Sequence, residues 1–275
     1  MSYKLTKVNY INKQTESLDL HFKPRDFCCV GNEIYFVYEN GIGMISDGEI
    51  NLEWHDNLGF IKETDLTTLS SITFNKSNNS LFIVSENGSQ IVQINLDMLN
   101  YEEVISKDSA NELKKKYLST SKSETHISSL GFTVVWSVTN CHRCFILKED
   151  DAMPLIGCGK SGFSMSKPET SKIRYPKGIA IMDGAICFAD SGNKMLRGVR
   201  DGGTFSVVDD CDSLKDVIFN NNKLFFINDD AVHMISSEGD ASHLFEVYNS
   251  ENTIYSFDLL DKDTIYVLEE NYAPT

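Results

Sequence analysis

The sequence has no apolar run long enough to cross a membrane and no apolar segment at its start. A membrane span needs about 18 consecutive apolar residues. The first residues, Met-Ser-Tyr-Lys-Leu-Thr, do not resemble the apolar core of a secretory signal. We therefore expect no membrane contact, no secretion by a signal peptide and a cytoplasmic or otherwise non-secreted location.

Basic residues are also in short supply. The chain has 25 Lys and Arg against 40 Asp and Glu, a formal net charge of −15 and a pI near 4.8. A field of this sign repels phosphate backbones, so nucleic acid is an unfavourable partner. The seven cysteines are odd in number and lie largely in predicted strands, which indicates small buried side chains in a reducing compartment rather than a disulfide framework.

Proline is scarce, with 5 residues, whereas Phe (16) and Tyr (11) are plentiful. Aromatic and β-branched residues in short runs favour sheet over helix. The clearest such pattern runs from Arg174 to Val208, where four apolar runs are separated by turns at 182–184, 190–193 and 202–203. Gly192 is expected to take a positive φ in the second turn. Four short antiparallel strands in succession are the unit of a propeller blade.

Two motifs in this stretch, Y-P-K-G-I-A-I and I-C-F-A-D-S-G-N-K-M-L-R-G-V, resemble the core of an NHL repeat. The glycine-rich segment from Leu155 to Phe163 resembles the lead-in between two such repeats. The resemblance implies a β-propeller. It implies no single activity, because similar propellers serve as binding scaffolds, lyases and hydrolases.

Weaker copies of the same pattern recur along the chain. Aligning the second strand of each copy gives six positions that lie 39 to 52 residues apart: Glu39, Glu86, Val138, Asp190, Asp229 and Glu269. Periods of about 40 to 50 residues are typical of propeller repeats. The sequence therefore predicts an all-β, six-bladed β-propeller of four-stranded antiparallel blades, with residues 1–275 forming a single domain.

The last repeat reaches the end of the chain with only two strands. Two further predicted strands, Tyr3 to Val8 and Leu18 to Phe22, stand alone at the other end. We expect residues 1–22 to complete the last blade, because closure of the ring removes a free sheet edge.

Two segments interrupt the repeats. Asp108 to Thr120 is predicted to be a short helix with a capping box formed by Ser109 and Glu112, and Ser119 to Thr125 to be a polar loop. Gly159 to Lys172 is a long loop rich in lysine and serine. Long loops on a rigid scaffold often carry binding sites.

Several motifs resemble those of catalytic or metal-binding sites, but the surrounding sequence lacks the features that each site requires. Gly157 to Gly162 fits G-x-G-x-x-G, but the following residues contain Pro168 and no helical periodicity. Cys141 and Cys144 have zinc-ligand spacing but no second pair. The six histidines occupy unrelated repeat positions, whereas ligands at the channel would recur near the ends of the inner strands, and no nucleophile motif is present. We assign no catalytic residue and no metal ligand.

Acidic residues recur at the turn between the second and third strands of five repeats. Blades are related by rotation, so these turns should share one face and form a ring of acidic positions that accepts a cation or a basic partner. Calcium is the cation that such a carboxylate site would favour. For Asp190 the alternative is capping of its own turn. The positions are Glu39, Glu86, Asp190, Asp229 and Glu269.

Basic residues concentrate in the fourth repeat. Eight basic residues stand against three acids between Gly157 and Arg200, and three against sixteen from Asp201 onwards. The candidate basic binding residues are Lys160, Lys167, Lys172, Arg174 and Lys177.

We predict a non-enzymatic protein-interaction scaffold, alone or as a subunit of a larger assembly, without a cofactor. The main alternative is a calcium-assisted hydrolase or lyase with its site at the channel mouth. RNA binding through the basic residues is a third possibility, which the net charge disfavours.

Overall fold

The computed structural model describes residues 2–39, 41–54, 68–118, 123–182, 184–238 and 241–271, with the backbone alone at 236–238 and 241–243. All of the described sheets have four antiparallel strands, and there are six of them. The predicted all-β, six-bladed propeller is confirmed. None of the described helices is long and apolar enough to span a membrane.

The strands follow the chain in order around the ring. The N-terminal strands are β1 (Ser2–Asn9) and β2 (Gln14–Leu20). Blade one has β3 (Pro24–Val30), β4 (Glu33–Tyr38), β5 (Gly41–Ser46) and β6 (Glu49–Asn51). Blade two has β7 (Leu69–Asn75), β8 (Ser80–Ser85), β9 (Ile91–Asn95) and β10 (Asn100–Glu103). Blade three has β11 (Thr125–Leu130), β12 (Thr133–Val138), β13 (Arg143–Lys148) and β14 (Asp151–Ile156). Blade four has β15 (Pro176–Met182), β16 (Ala185–Asp190), β17 (Met195–Arg200) and β18 (Gly203–Val208). Blade five has β19 (Val217–Asn220), β20 (Lys223–Asn228), β21 (Ala231–Glu238) and β22 (Ala241–Asn249). Blade six begins with β23 (Thr253–Leu259) and β24 (Thr264–Asn271).

Blade six is completed by the N-terminal strands, as predicted. Its strand order is β2-β1-β24-β23, and β1 pairs with β24 from Ser2 opposite Asn271 to Asn9 opposite Thr264. The first residues of the chain therefore close the ring against the last strand.

The core lies between the blades. Successive strand residues point to opposite faces, so each blade contributes to two clusters. In β8, Leu81 and Ile83 pack towards blade one, whereas Phe82 and Val84 pack towards blade three. Six such buried clusters join the six pairs of neighbouring blades.

A helix lies between blades two and three, as predicted, but its start differs from the expectation. Helix α1 spans Lys107–Lys116, and its N-cap is Ser106, whose Oγ accepts the Ser109 amide at 3.2 Å. The Ser109 hydroxyl instead accepts the Ala152 amide of β14 at 3.0 Å. The capping box was wrong because Ser109 is buried against blade three. The end of the predicted helix and the start of the predicted polar loop, at 119–122, lie outside the described residues.

The first strand of every blade is innermost, and these strands run in the same direction. They are β3, β7, β11, β15, β19 and β23. Their first residues meet at one end of the ring, which we call the upper face, and their hairpin turns lie at the other end. In blade four, Asp183 of the predicted Asp-Gly turn lies outside the described residues.

Candidate functional site

A cavity of about 490 Å³ opens at the upper face, where the innermost strands begin. We call it the channel mouth. It is lined by residues of blades one, two, three and six, among them Arg25, Asp26, Glu39, Ser71, Glu86, Glu124, His126 and Ser256.

Asp26 links three blades at the base of the channel mouth. Its carboxylate accepts the Ser71 hydroxyl at 2.5 Å, the Ser256 hydroxyl at 2.6 Å and the Ile72 amide at 3.0 Å. The Ser71 hydroxyl also accepts the Ile127 amide at 3.2 Å. A buried carboxylate with this many donors stabilises the ring and has little capacity left for a ligand.

Among the histidines whose side chains the structure describes, His126 lines the channel mouth. It is the second residue of β11, with Nε2 3.2 Å from Glu124 Oε1 and Nδ1 3.9 Å from Asp216 Oδ1. Burial by itself lowers the pKa of His126. The hydrogen bond and charge of Glu124, together with the charge of Asp216, raise it by more, so the pKa lies above its usual value. Lys177 Nζ lies 3.3 Å from Glu124 Oε2.

That His126 lies at an inner-strand end was not apparent from the sequence. The repeats were aligned on their second strands, and this alignment does not show which side chain of the first strand faces the axis. His55 lies outside the described residues.

The five acids of the predicted ring do not share one solvent-facing surface. Glu39 and Glu86 line the channel mouth, where Glu86 pairs with Arg25. Asp229 is exposed on blade five. Asp190 and Glu269 are fully buried. Burial removes Asp190 and Glu269 from the predicted ring, because strand ends that align in sequence differ in how deeply the neighbouring blade covers them. For Glu39, Glu86 and Asp229 the ring stays a prediction.

Glu269 is held by the closure of the ring. Its carboxylate accepts the Thr6 hydroxyl of β1 at 2.5 Å and the Tyr248 hydroxyl of β22 at 3.0 Å, and it also accepts the Ser250 hydroxyl. These donors come from three separate strands or loops, so Glu269 joins blades five and six.

Asp190 forms a buried ion pair with Arg197. The Arg197 Nη1 atom donates to Asp190 Oδ2 at 2.8 Å, and both side chains are fully buried. Asp190 also accepts the Arg174 amide at 2.7 Å and the Asn193 side-chain amide at 2.9 Å. Burial raises the pKa of Asp190 in spite of these donors. Asp190 thus ties its turn to the preceding loop.

Gly192 does not take the positive φ that we expected. The left-handed residue of this turn is Lys194, with φ 59°. Glycine is required at 192 for space, since a Cβ there would lie 2.5 Å from Arg174 Cγ and 2.8 Å from the Arg174 carbonyl oxygen.

The buried pair of Asp190 and Arg197 also anchors the long loop before blade four. Arg197 donates to the carbonyl oxygens of Ser164 at 2.8 Å and Lys172 at 3.1 Å. Asn193 donates to the Gly162 carbonyl at 2.8 Å, and Thr204 to that of Ser166 at 3.1 Å. These four hydrogen bonds tie the loop to blade four.

This loop displays a basic and apolar surface, which we call the blade-four platform. Its exposed side chains are Lys160, Phe163, Met165, Lys167, Lys172, Arg174 and Tyr175. Glu169 is the exposed acid among them. Lys177, the fifth predicted basic residue, is half-buried and pairs with Glu124 instead. Four of the five basic residues are thus exposed on or directly beside this loop.

Within the described ranges, no group of three or more His, Cys, Asp and Glu side chains is arranged to hold a metal ion. The calcium expectation stays a prediction.

The class of protein that the geometry defines is the six-bladed β-propeller. No family model matches the chain, and no curated protein matches its sequence, so the NHL resemblance also stays a prediction.

Solved structures match in fold. One is a nidogen/laminin complex, with 11% identity, a TM-score of 0.63 and coverage of 93% of this chain and 97% of that one. A second is a streptogramin B lyase, with 13% identity, a TM-score of 0.53 and 98% of each chain. A third is an auxiliary nutrient binding protein from Bacteroides thetaiotaomicron, with 12% identity, a TM-score of 0.55 and 78% of this chain. The chain spans only 61% of that protein's length. At these identities the likeness extends to the fold alone.

Proposed function

We propose that the protein is a non-enzymatic interaction scaffold that binds another protein through the blade-four platform, alone or as a subunit of a larger assembly. The observation that carries the proposal is the anchoring of the platform by the buried pair of Asp190 and Arg197. A preorganised loop loses little conformational entropy on binding, which favours affinity.

Charge indicates the kind of partner. The platform exposes Lys160, Lys167, Lys172 and Arg174 against the single acid Glu169, on a chain whose net charge is −15. Phe163, Met165 and Tyr175 add apolar area at 54%, 41% and 43% exposure. Aromatic, Met and Arg side chains are enriched in protein interfaces. An acidic protein segment with apolar side chains fits both features, whereas the rest of the surface repels a nucleic acid.

The test uses a labelled synthetic peptide of alternating Glu and Leu, with binding followed by fluorescence anisotropy at low and high salt. The variant K160E/K167E/K172E should weaken binding about tenfold or more, since complementary charge across an interface contributes to affinity and specificity. The matched control, K107E/K114E/K115E, reverses three exposed lysines of α1 and should bind like the unchanged protein. Equal binding by both variants contradicts the proposal, and preferential binding of single-stranded RNA would favour the RNA alternative.

One observation favours a second candidate, the hydrolase or lyase with its site at the channel mouth. The cavity there holds His126 between two carboxylates, an arrangement suited to proton transfer. For the calcium-assisted form, millimolar calcium should raise the thermal midpoint, and the E39Q/E86Q variant should remove that rise. No change in the midpoint with calcium would count against it.

A further inference from the structure

The outermost strands of a propeller expose unpaired backbone groups, and natural proteins protect such edges. Five of the six outermost strands here show a form of protection. β6 and β10 have only 3 and 4 residues. β14 contains Pro154, which donates no backbone hydrogen bond. β18 is joined to the long loop by the bond from Thr204 to Ser166. β2 carries two acids in seven residues.

The outermost strand of blade five is different. β22 has nine residues, A-S-H-L-F-E-V-Y-N, with one acid and neither proline nor lysine. It is the terminal strand of its sheet. Lys13 Nζ donates to the Val247 carbonyl at 3.1 Å, so the N-terminal hairpin covers one end of the strand. Residues 241–246 form the rest of this long, weakly charged edge.

Two large apolar side chains stand next to each other on this edge. Leu244 is 59% exposed and Phe245 is 47% exposed. Neighbouring residues of a strand point to opposite faces of the sheet. A partner that lies flat on blade five can cover one of them only. A strand added to the edge covers both, because each then gains a second cross-strand neighbour beside the one on β21.

We propose that β22 pairs antiparallel with β22 of a second copy of this chain. Pairing centred on Leu244 sets Leu244 opposite Leu244 of the other copy and Phe245 opposite its His243, because a two-fold axis through the joined edges places residues of the same face opposite each other. In the same register Glu246 falls opposite Ser242, so no like charges meet. The strand is its own complement, and the resulting contact has the two-fold symmetry that is commonest among protein dimers.

This inference goes beyond the proposed function and does not depend on it. The platform belongs to blade four, whereas the edge belongs to blade five and uses backbone and apolar contacts. Variants of one surface should leave the other activity unchanged.

Sedimentation velocity over a range of protein concentrations tests the proposal. The unchanged protein should form a dimer, and L244K/F245K should remain monomeric up to at least tenfold higher concentration. The matched control L130K/F132K alters two exposed apolar residues of the hairpin between β11 and β12, at 51% and 105% exposure, and should still dimerise. An unchanged protein that stays monomeric throughout overturns the proposal, and so does a control that also loses the dimer.

A second measurement needs no substitution, in case the lysine variant does not fold. A synthetic peptide of residues 241–249 should dissociate the dimer, whereas a scrambled peptide of the same composition should not. Amide hydrogen exchange at 241–246 should also slow as protein concentration rises. A dimer that resists the peptide and shows no slowing there places the contact elsewhere and overturns the proposal.

Discussion

Asp258 lies in β23 with both carboxylate oxygens directed at backbone amides. It accepts the Cys29 amide at 2.7 Å and the Leu259 amide at 2.8 Å. Burial raises the pKa of Asp258 to about 7 in spite of these bonds. Burial likewise raises the pKa of Asp216, whose Oδ1 lies near His126, to about 7. Both acids thus take up protons on folding between about pH 4 and pH 7.

We expect stability to depend on pH through Asp258. An aspartate in the unfolded chain has a pKa near 3.9, so between about pH 4 and pH 7 the folded protein holds a proton that the unfolded chain releases. The contribution of Asp258 to the free energy of unfolding is fully present below pH 4 and is lost as the pH rises to 7. Asp258→Asn should remove this loss. As the pH rises, the free energy of unfolding of the variant should therefore increase relative to that of the unchanged protein, by at most about 4 kcal/mol. Urea unfolding at several pH values measures the difference.

The exposed Asp47 provides the control for this prediction. Asp47→Asn should follow the unchanged protein across the same pH range. If Asp258→Asn changes the free energy of unfolding by an equal amount at every pH, Asp258 does not titrate in the way we expect.

At the scale of single elements, α1 depends on a cap that precedes the predicted one. Ser106 accepts the Ser109 amide, while Ser109 joins the helix to blade three. Glu112 contacts Lys116 at 2.7 Å on the exposed side of the helix.

We expect Ser106→Ala to reduce the free energy of unfolding by about 1 kcal/mol, since it removes the N-cap acceptor. Glu112→Ala should have no measurable effect on the start of the helix. Urea unfolding, with amide exchange at residues 107–110, distinguishes the two. Faster exchange at these amides in the Glu112→Ala variant would contradict this prediction, because it would show that Glu112 contributes to a capping box at the start of the helix.

Strands were predictable at this scale because their signals are local. Alternating apolar runs and turn residues indicate β15 to β18 without knowledge of their neighbours. The helix cap was not predictable, since Ser106 and Ser109 are equally suitable acceptors in sequence. Contact with Ala152, 43 residues away from Ser109, decided between them.

At the scale of the whole molecule, ring closure concentrates contacts between the two ends of the chain. Tyr3 donates to Glu270 at 3.1 Å and Thr6 to Glu269 at 2.5 Å. Both glutamates are buried, so loss of β1 would leave charged groups without these donors and expose the edge of β24.

Deletion of residues 1–22 should therefore lower the thermal midpoint strongly and abolish the single cooperative transition, as followed by circular dichroism and calorimetry. A synthetic peptide of residues 1–22 added to the truncated protein should restore part of the midpoint. A truncated protein that melts like the full chain would show that closure contributes little.

The sequence by itself determined the repeat, because six copies of a local strand pattern at propeller spacing bury their apolar faces only when stacked in a ring. It also determined the basic composition of the loop before blade four. The tertiary structure alone decided which charged side chains are exposed and which are buried or paired. Arg197 reaches the Ser164 carbonyl from 33 residues along the chain, Asp190 and Glu269 become buried while Glu39 stays exposed, and His126 faces the axis. Burial and pairing depend on neighbours that are distant in sequence, so residue type and period do not reveal them.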